Sequence, residues 1–224
     1  YCELVIPAFY MNKVLPLVIL VSAILVAIIV LLFSQSSQTN LQSNPDEFFI
    51  ISTIAPINSL VGELVGGDTI KRSVLVPPGA SPHTYEPTPN QLAEILTADA
   101  LVITGTAVEF EVAWLDRIKS LNTELVIIDL SKDIDLINIA DESISDPHIW
   151  LSPRNLGQMV STLAIALSEI DLERSSFYQQ QLATLLIELE RIDEAISEQL
   201  VSQNKNTLLV YHDAWGYFAR DYNL

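Results

Sequence analysis

The sequence is short of the residues that usually build a local metal site or a cross-link. Its 224 residues include one cysteine, Cys2. A single cysteine cannot form an internal disulfide and excludes a cysteine-based metal cluster. Positive charge is also scarce: 11 lysines and arginines stand against 28 acidic residues, for a formal charge of −17. No basic patch is evident, which argues against nucleic acid as a partner. The acidity suits an extracytoplasmic domain or one that handles cations, although solubility alone would account for it. There are only three histidines: His83, His148 and His212.

From Val14 to Phe33, VLPLVILVSAILVAIIVLLF, charge is missing altogether. A run of that length can span a bilayer as a helix. Lys13 precedes it and no basic residue follows until Lys71. The positive-inside tendency puts residues 1–13 in the cytoplasm and everything after Ser34 outside. The apolar run is longer than the core of a cleaved signal peptide. It reads as an uncleaved anchor, with cleavage at Ser34-Gln35-Ser36 as the alternative. No lipoprotein-type cysteine follows it. Residues 34–47 are polar and low in complexity, as in a flexible tether.

Beyond the tether, short apolar runs alternate with helical patterns. FFIISTI, Phe48 to Ile54, reads as a buried strand. INSLVGELVGGD reads as a helix closed by Gly66-Gly67, and SVLVPPG as a second strand. Thr88, Pro89 and Gln91 sit at N-cap, N1 and N3 of the next helix, a capping box. ALVIT is a third strand, VEFEVAWLDRIKSL a helix and ELVIIDL a fourth strand. The alternation implies βαβ units, a parallel sheet and an α/β fold. Asp129 to Asp146 is an acidic, irregular connector. PRNLGQMVSTLAIALSEI starts a helix after Ser152. The longest pattern, about Leu172 to Ser202, carries Leu182, Leu185, Leu186, Leu189, Ile192, Ile196 and Leu200 as one stripe. As a helix it would be roughly 45 Å long. From Thr207, TLLVYHDAW restarts the strand pattern. The chain stops soon after, at Leu224, which reads as a truncated sequence with a second sheet barely begun.

The histidines are 65 and 64 residues apart, too far for a local finger-type site. His83 lies in PPGASPHTYEPTPNQ, Pro77 to Gln91, where five prolines in fifteen residues fix the backbone. His148 lies in SDPHIWLSP, just before a helix start. His212 is expected to end the strand TLLVY. Parallel sheets bind ligands at the carboxyl ends of their strands, so all three can converge on one crevice. A lone loop histidine is more often a surface or hydrogen-bonding residue than a ligand. On spacing alone, both readings stay open.

PPGASPHTYEPTP, DPHIWLSP and YHDAWGYFARDYNL resemble the three histidine motifs of the metal-binding solute-binding proteins of ABC importers, and most closely their zinc-specific branch. The resemblance covers about Glu47 to Leu224. It implies two lobes, each with a parallel sheet, joined by one long rigid helix. Residues 48–170 would be a complete N-terminal lobe and 171–203 the linking helix. Residues 204–224 would start a C-terminal lobe that is mostly missing. Metal would bind in the cleft, with His83 and His148 as ligands from the first lobe and His212 as the first from the second. The family's fourth ligand, a carboxylate or water, comes from later in the second lobe, so no residue here can be assigned to it.

The implied function is capture of Zn²⁺ outside the cytoplasm and delivery to an ABC permease. The protein would be a monomer anchored through residues 14–33, with no enzymatic chemistry. Imidazoles suit tetrahedral zinc, while manganese prefers more oxygen ligands. The manganese branch typically carries a glutamate where His212 stands, so zinc is favoured and a Mn²⁺ or mixed-metal receptor is the alternative. The connector from Lys132 to Asp146 holds Asp133, Asp135, Asp141, Glu142 and Asp146 but no histidine. It therefore reads as a solvated acidic loop and not as a zinc-collecting one. Asp146 and Asp213 adjoin ligand histidines and can orient an imidazole from behind, or can serve as ordinary loop caps. Glu86 reads as structural. Trp150, Trp215, Tyr217 and Phe218 are expected to pack the cleft floor and the lobe core. A three-histidine zinc hydrolase would need a placed general base, Glu86 or Asp213. A surface adhesin on the same fold would differ in its partner.

Overall fold

The sheet is laid down from its middle outward. Phe49–Ile54 (β1) is buried at every position, as a strand covered on both faces must be. Lys71–Val76 (β2) pairs with it on one side and Ala100–Ile103 (β3) on the other. Val126–Asp129 (β4) adds to β3. All pairings are parallel, in the order β2-β1-β3-β4. The register sets Phe49 against Lys71, Ile50 against Ala100 and Ala100 against Val126. The parallel α/β expectation is met. The computed structural model describes residues 47–67, 70–139, 145–203 and 207–224. The expected span 14–33, nearly all of the tether, and Asp141 and Glu142 of the connector lie outside these residues. No described helix is long and apolar enough to cross a membrane.

Helices return the chain between strands. Ala55–Val65 (α1) starts with a proline in its first turn and ends at Gly66, φ 76°. That left-handed cap is where glycine carries no Cβ penalty. Pro89–Ile95 (α2) has the expected capping box between Thr88 and Gln91. Glu109–Leu121 (α3) follows β3, and Pro153–Ile170 (α4) begins at its Ser152 cap. Met159, Val160, Leu163, Ala164 and Leu167 of α4 are all buried.

The long helix is Ser175–Gln203 (α5), 29 residues or about 43 Å. Its first expected turn, Leu172–Arg174, is instead a 3-10 turn. There Asp171 accepts hydrogen bonds from Arg174 (2.9 Å) and Tyr178 (2.5 Å) and closes off the preceding helix. α5 packs mainly on α4 and then on α1. Leu182, Leu185, Leu189, Ile196 and Leu200 of its stripe are half-buried, while Leu186 and Ile192 remain exposed.

The strand expected at TLLVY is not formed. Residues 207–210 have no regular structure and residues 211–213 bend. No described strand pairs with them, so Leu209 and Tyr211 are fully exposed. The sheet of a second lobe is not among the described residues. A short helix, Gly216–Tyr222 (α6), follows the bend.

Candidate metal centre

The loop after β2 is pinned at both ends. The Gln91 amide donates to the carbonyls of Val74 (3.1 Å) and Leu75 (2.7 Å) at the end of that strand. Its Oε1 accepts from the Tyr85 hydroxyl (3.0 Å) and the Thr88 N–H (2.9 Å). One side chain thus ties the exit of the proline-rich loop to its entry, adding to the stiffness that the prolines give. His83 stands between these ties with its side chain 54% exposed.

Sequence reasoning missed the partner of His83. Its Nδ1 meets Glu109 Oε1 at 2.6 Å. Glu109 is the first residue of α3, where the helix dipole favours a carboxylate. An acidic residue at a helix start was the available signal, but nothing in the sequence links it to a loop 26 positions earlier.

His148 is held in the same manner. Asp146 Oδ1 accepts from the His148 backbone N–H (2.9 Å) and lies 2.8 Å from its Nδ1. A carboxylate can only accept, so in both pairs Nδ1 carries the proton, and in the neutral ring Nε2 keeps its lone pair. Burial pushes the Asp146 carboxyl up. The His148 hydrogen bonds, then the charges of His148 and His212, outweigh it and hold the carboxyl below its ordinary range. The rings of His148 and His212 are 5.1 Å apart and nearly perpendicular, at 87°. The Trp150 ring lies 5.3 Å from that of His148, at 60°.

All three histidines line one cavity of about 460 Å³, together with Glu109, Trp150 and Trp215. Ile54 and Val76, the last residues of β1 and β2, open into it. This is the carboxyl edge of the sheet, where open parallel sheets hold their ligands. The histidines share the cavity without meeting at a point. Among the described residues no three His, Cys, Asp or Glu side chains stand close enough to hold one metal ion.

His212 does not end a strand as expected. It lies in the bend before α6, where its carbonyl accepts from the Ala214 N–H (2.9 Å). Asp213 and Glu86 are exposed, and among the described residues neither bonds to a histidine. Trp150 and Trp215 do line the cavity, and Tyr217 is buried in the core. Phe218 stacks edge-on against Trp215 at 5.6 Å.

A second residue missed in the sequence is Glu111, buried behind the site. Its carboxylate accepts from Thr53 Oγ1 (2.5 Å), Thr104 N–H (2.7 Å), Thr104 Oγ1 (2.7 Å) and Gly105 N–H (3.0 Å). It thereby joins the ends of β1 and β3. Burial pushes this carboxyl up, and the four hydrogen bonds only partly offset the effect.

The profile of the family described as zinc-uptake complex component A, periplasmic (ZnuA), matches residues 50–224. The chain belongs to this family. Its members are solute-binding proteins of metal transport and not enzymes. A crystal structure of ZnuA superposes with a TM-score of 0.73 at 38% identity, covering 80% of this chain and 69% of that one. The high-affinity zinc uptake system protein ZnuA of Bacillus subtilis is 25% identical over 85% of this chain and 63% of its own length. The manganese-binding lipoprotein MntA of Halalkalibacterium halodurans is 25% identical over 73% of this chain and 55% of its own length. The chain thus spans between about half and two thirds of these curated relatives.

Proposed function

We propose that the protein is the receptor of an ABC importer for Zn²⁺, captures the ion outside the cytoplasm, and passes it to a membrane permease. His83, His148 and His212 would supply imidazole Nε2 atoms, with Glu109 and Asp146 holding the first two rings from behind. The observation that carries this proposal is the single cavity lined by all three histidines of the chain. Bringing three imidazoles to about 2.0–2.1 Å of one ion requires His83 to approach the other two. The fourth ligand would be a carboxylate or water from beyond Leu224, and residues 14–33 would anchor the receptor to the membrane.

Three neutral nitrogen donors favour zinc over manganese, which takes more oxygen ligands. The manganese-binding name of one relative supports a mixed-metal receptor as the second reading. Elemental analysis of the full-length protein, offered equal zinc and manganese beside a His148→Ala variant, separates them. One zinc per chain, lost in the variant, is expected. Bound manganese, or metal indifferent to the variant, would overturn the proposal.

A further inference from the structure

The segment that carries His212 runs directly into α6, and the start of that helix is built onto the support of His148. Tyr217 is fully buried. Its hydroxyl donates to the Asp146 carbonyl at 2.8 Å and accepts from the Ile137 N–H at 3.3 Å. The Asp146 N–H donates in turn to the Ile137 carbonyl, at 2.8 Å. The phenol therefore closes the Ile137–Asp146 backbone pair and uses both its donor and an acceptor lone pair to do so. A residue that only filled the core would not need this polar end. Arg220, one turn on, lies over the Tyr217 ring at 5.2 Å and donates to the Asp135 carbonyl at 2.7 Å.

Gly216 reaches the other end of the same residue. A Cβ built on it would stand 2.7 Å from Asp146 Oδ2 and 3.6 Å from Ile137 Cδ1. Gly216 is not one of the glycines with positive φ, so its backbone does not call for glycine. The nearness of the carboxylate does. Oδ1 of that carboxylate is the atom that holds His148 by both its backbone N–H and its ring. The helix start thus bonds the Asp146 carbonyl through Tyr217 and leaves no room for a Cβ beside its carboxylate at Gly216, four residues after His212.

We propose that Gly216 and Tyr217 are positioning residues that set Asp146, and through it the His148 imidazole, in register with His212. This rests on the assignment of His148 and His212 as metal ligands. The two histidines would then be tied together before any metal arrives, which lowers the ordering cost of binding. Only His83 would be left to close on the ion.

The test uses the full-length protein with Zn²⁺ as the probe, in competition with a chromophoric chelator. Gly216→Ala is expected to weaken zinc binding about tenfold, the lower end of the effect of disturbing groups behind a metal ligand. Its metal-free melting temperature should change little, because the gain from a better helix former opposes the strain at Asp146. Tyr217→Phe should weaken zinc binding as well. In an Asp146→Asn background, Gly216→Ala should add little. Unchanged affinity in Gly216→Ala, or a loss fully additive with Asp146→Asn, would overturn the proposal. A Tyr217→Phe variant that melts earlier but binds zinc normally would remove Tyr217 from it. If His148→Ala binds zinc as tightly as the wild type, the ligand assignment fails and the positioning role with it. If His148→Ala loses zinc while the Gly216 and Tyr217 variants keep it, only the positioning role fails.

Discussion

Replacing Glu111 tests whether the edge of the sheet that carries the site is held by one buried carboxylate. Glu111→Ala would strand four donors from the ends of β1 and β3. The hydroxyls of Thr53 and Thr104 can rotate toward other acceptors. The N–H groups of Thr104 and Gly105 cannot, and each costs about 1–3 kcal/mol when left buried without a partner. With the cavity added, the expected loss is about 3–5 kcal/mol. Glu111→Gln keeps the shape and one carbonyl oxygen but turns an N–H₂ toward one backbone N–H. Its expected loss is about 1–2 kcal/mol. Urea unfolding followed by far-ultraviolet circular dichroism measures both. The pH dependence has a definite sign. The folded carboxyl lies above its unfolded value. Its contribution is therefore full below the unfolded value and fades as pH rises through the folded one. The lead of the wild type over Glu111→Gln should be larger near pH 4 than near pH 7. A loss below about 1 kcal/mol in Glu111→Ala would refute the network as a structural tie.

Other perturbations have equally definite outcomes. Gln91→Ala removes the ties from the His83 loop to β2 and should cost about 1–2 kcal/mol, read by thermal melting. It should also weaken zinc binding, because the loop is no longer held for its ligand. Asp146 is the opposite case to Glu111, with its folded value below the ordinary range. Its contribution is present above the unfolded value and lost as pH falls through the folded one. The stability gap between wild type and Asp146→Asn should therefore close in acid, as acid titration of both would show. Zinc must displace protons from imidazoles that titrate near pH 6.5 when free. Zinc affinity should fall as pH drops from about 7.5 to about 5, and a flat calorimetric profile would count against three-histidine ligation. Ser152→Ala should cost about 1 kcal/mol through its lost N-cap to Asn155, measured by urea unfolding.

The strands and helices up to Gln203 were legible because each declares itself locally. β1 is an unbroken apolar run, α2 carries its capping box, and α4 begins at Ser152-Pro153. The three histidines were legible as a set because there are no others and each falls in a motif of the family. What the sequence hid was long-range. Glu109 meets His83 across 26 positions, and Glu111 joins two strand ends, so neither pairing leaves a periodic trace. TLLVY has the composition of a strand, but a strand needs a neighbour to accept its hydrogen bonds, and no described segment provides one. Asp146 and Asp213 looked alike beside their histidines. Only burial and geometry separate the first, bonded to His148, from the second, which faces solvent.

The central claim is that three imidazoles of this chain hold one zinc ion. Zinc K-edge absorption spectroscopy of the full-length protein loaded with one equivalent tests it most directly. Three imidazole nitrogens at about 2.0–2.1 Å, a shell lost together with the zinc in His148→Ala, are the result the account predicts. A shell of oxygen donors, or one unchanged by the substitution, would contradict it.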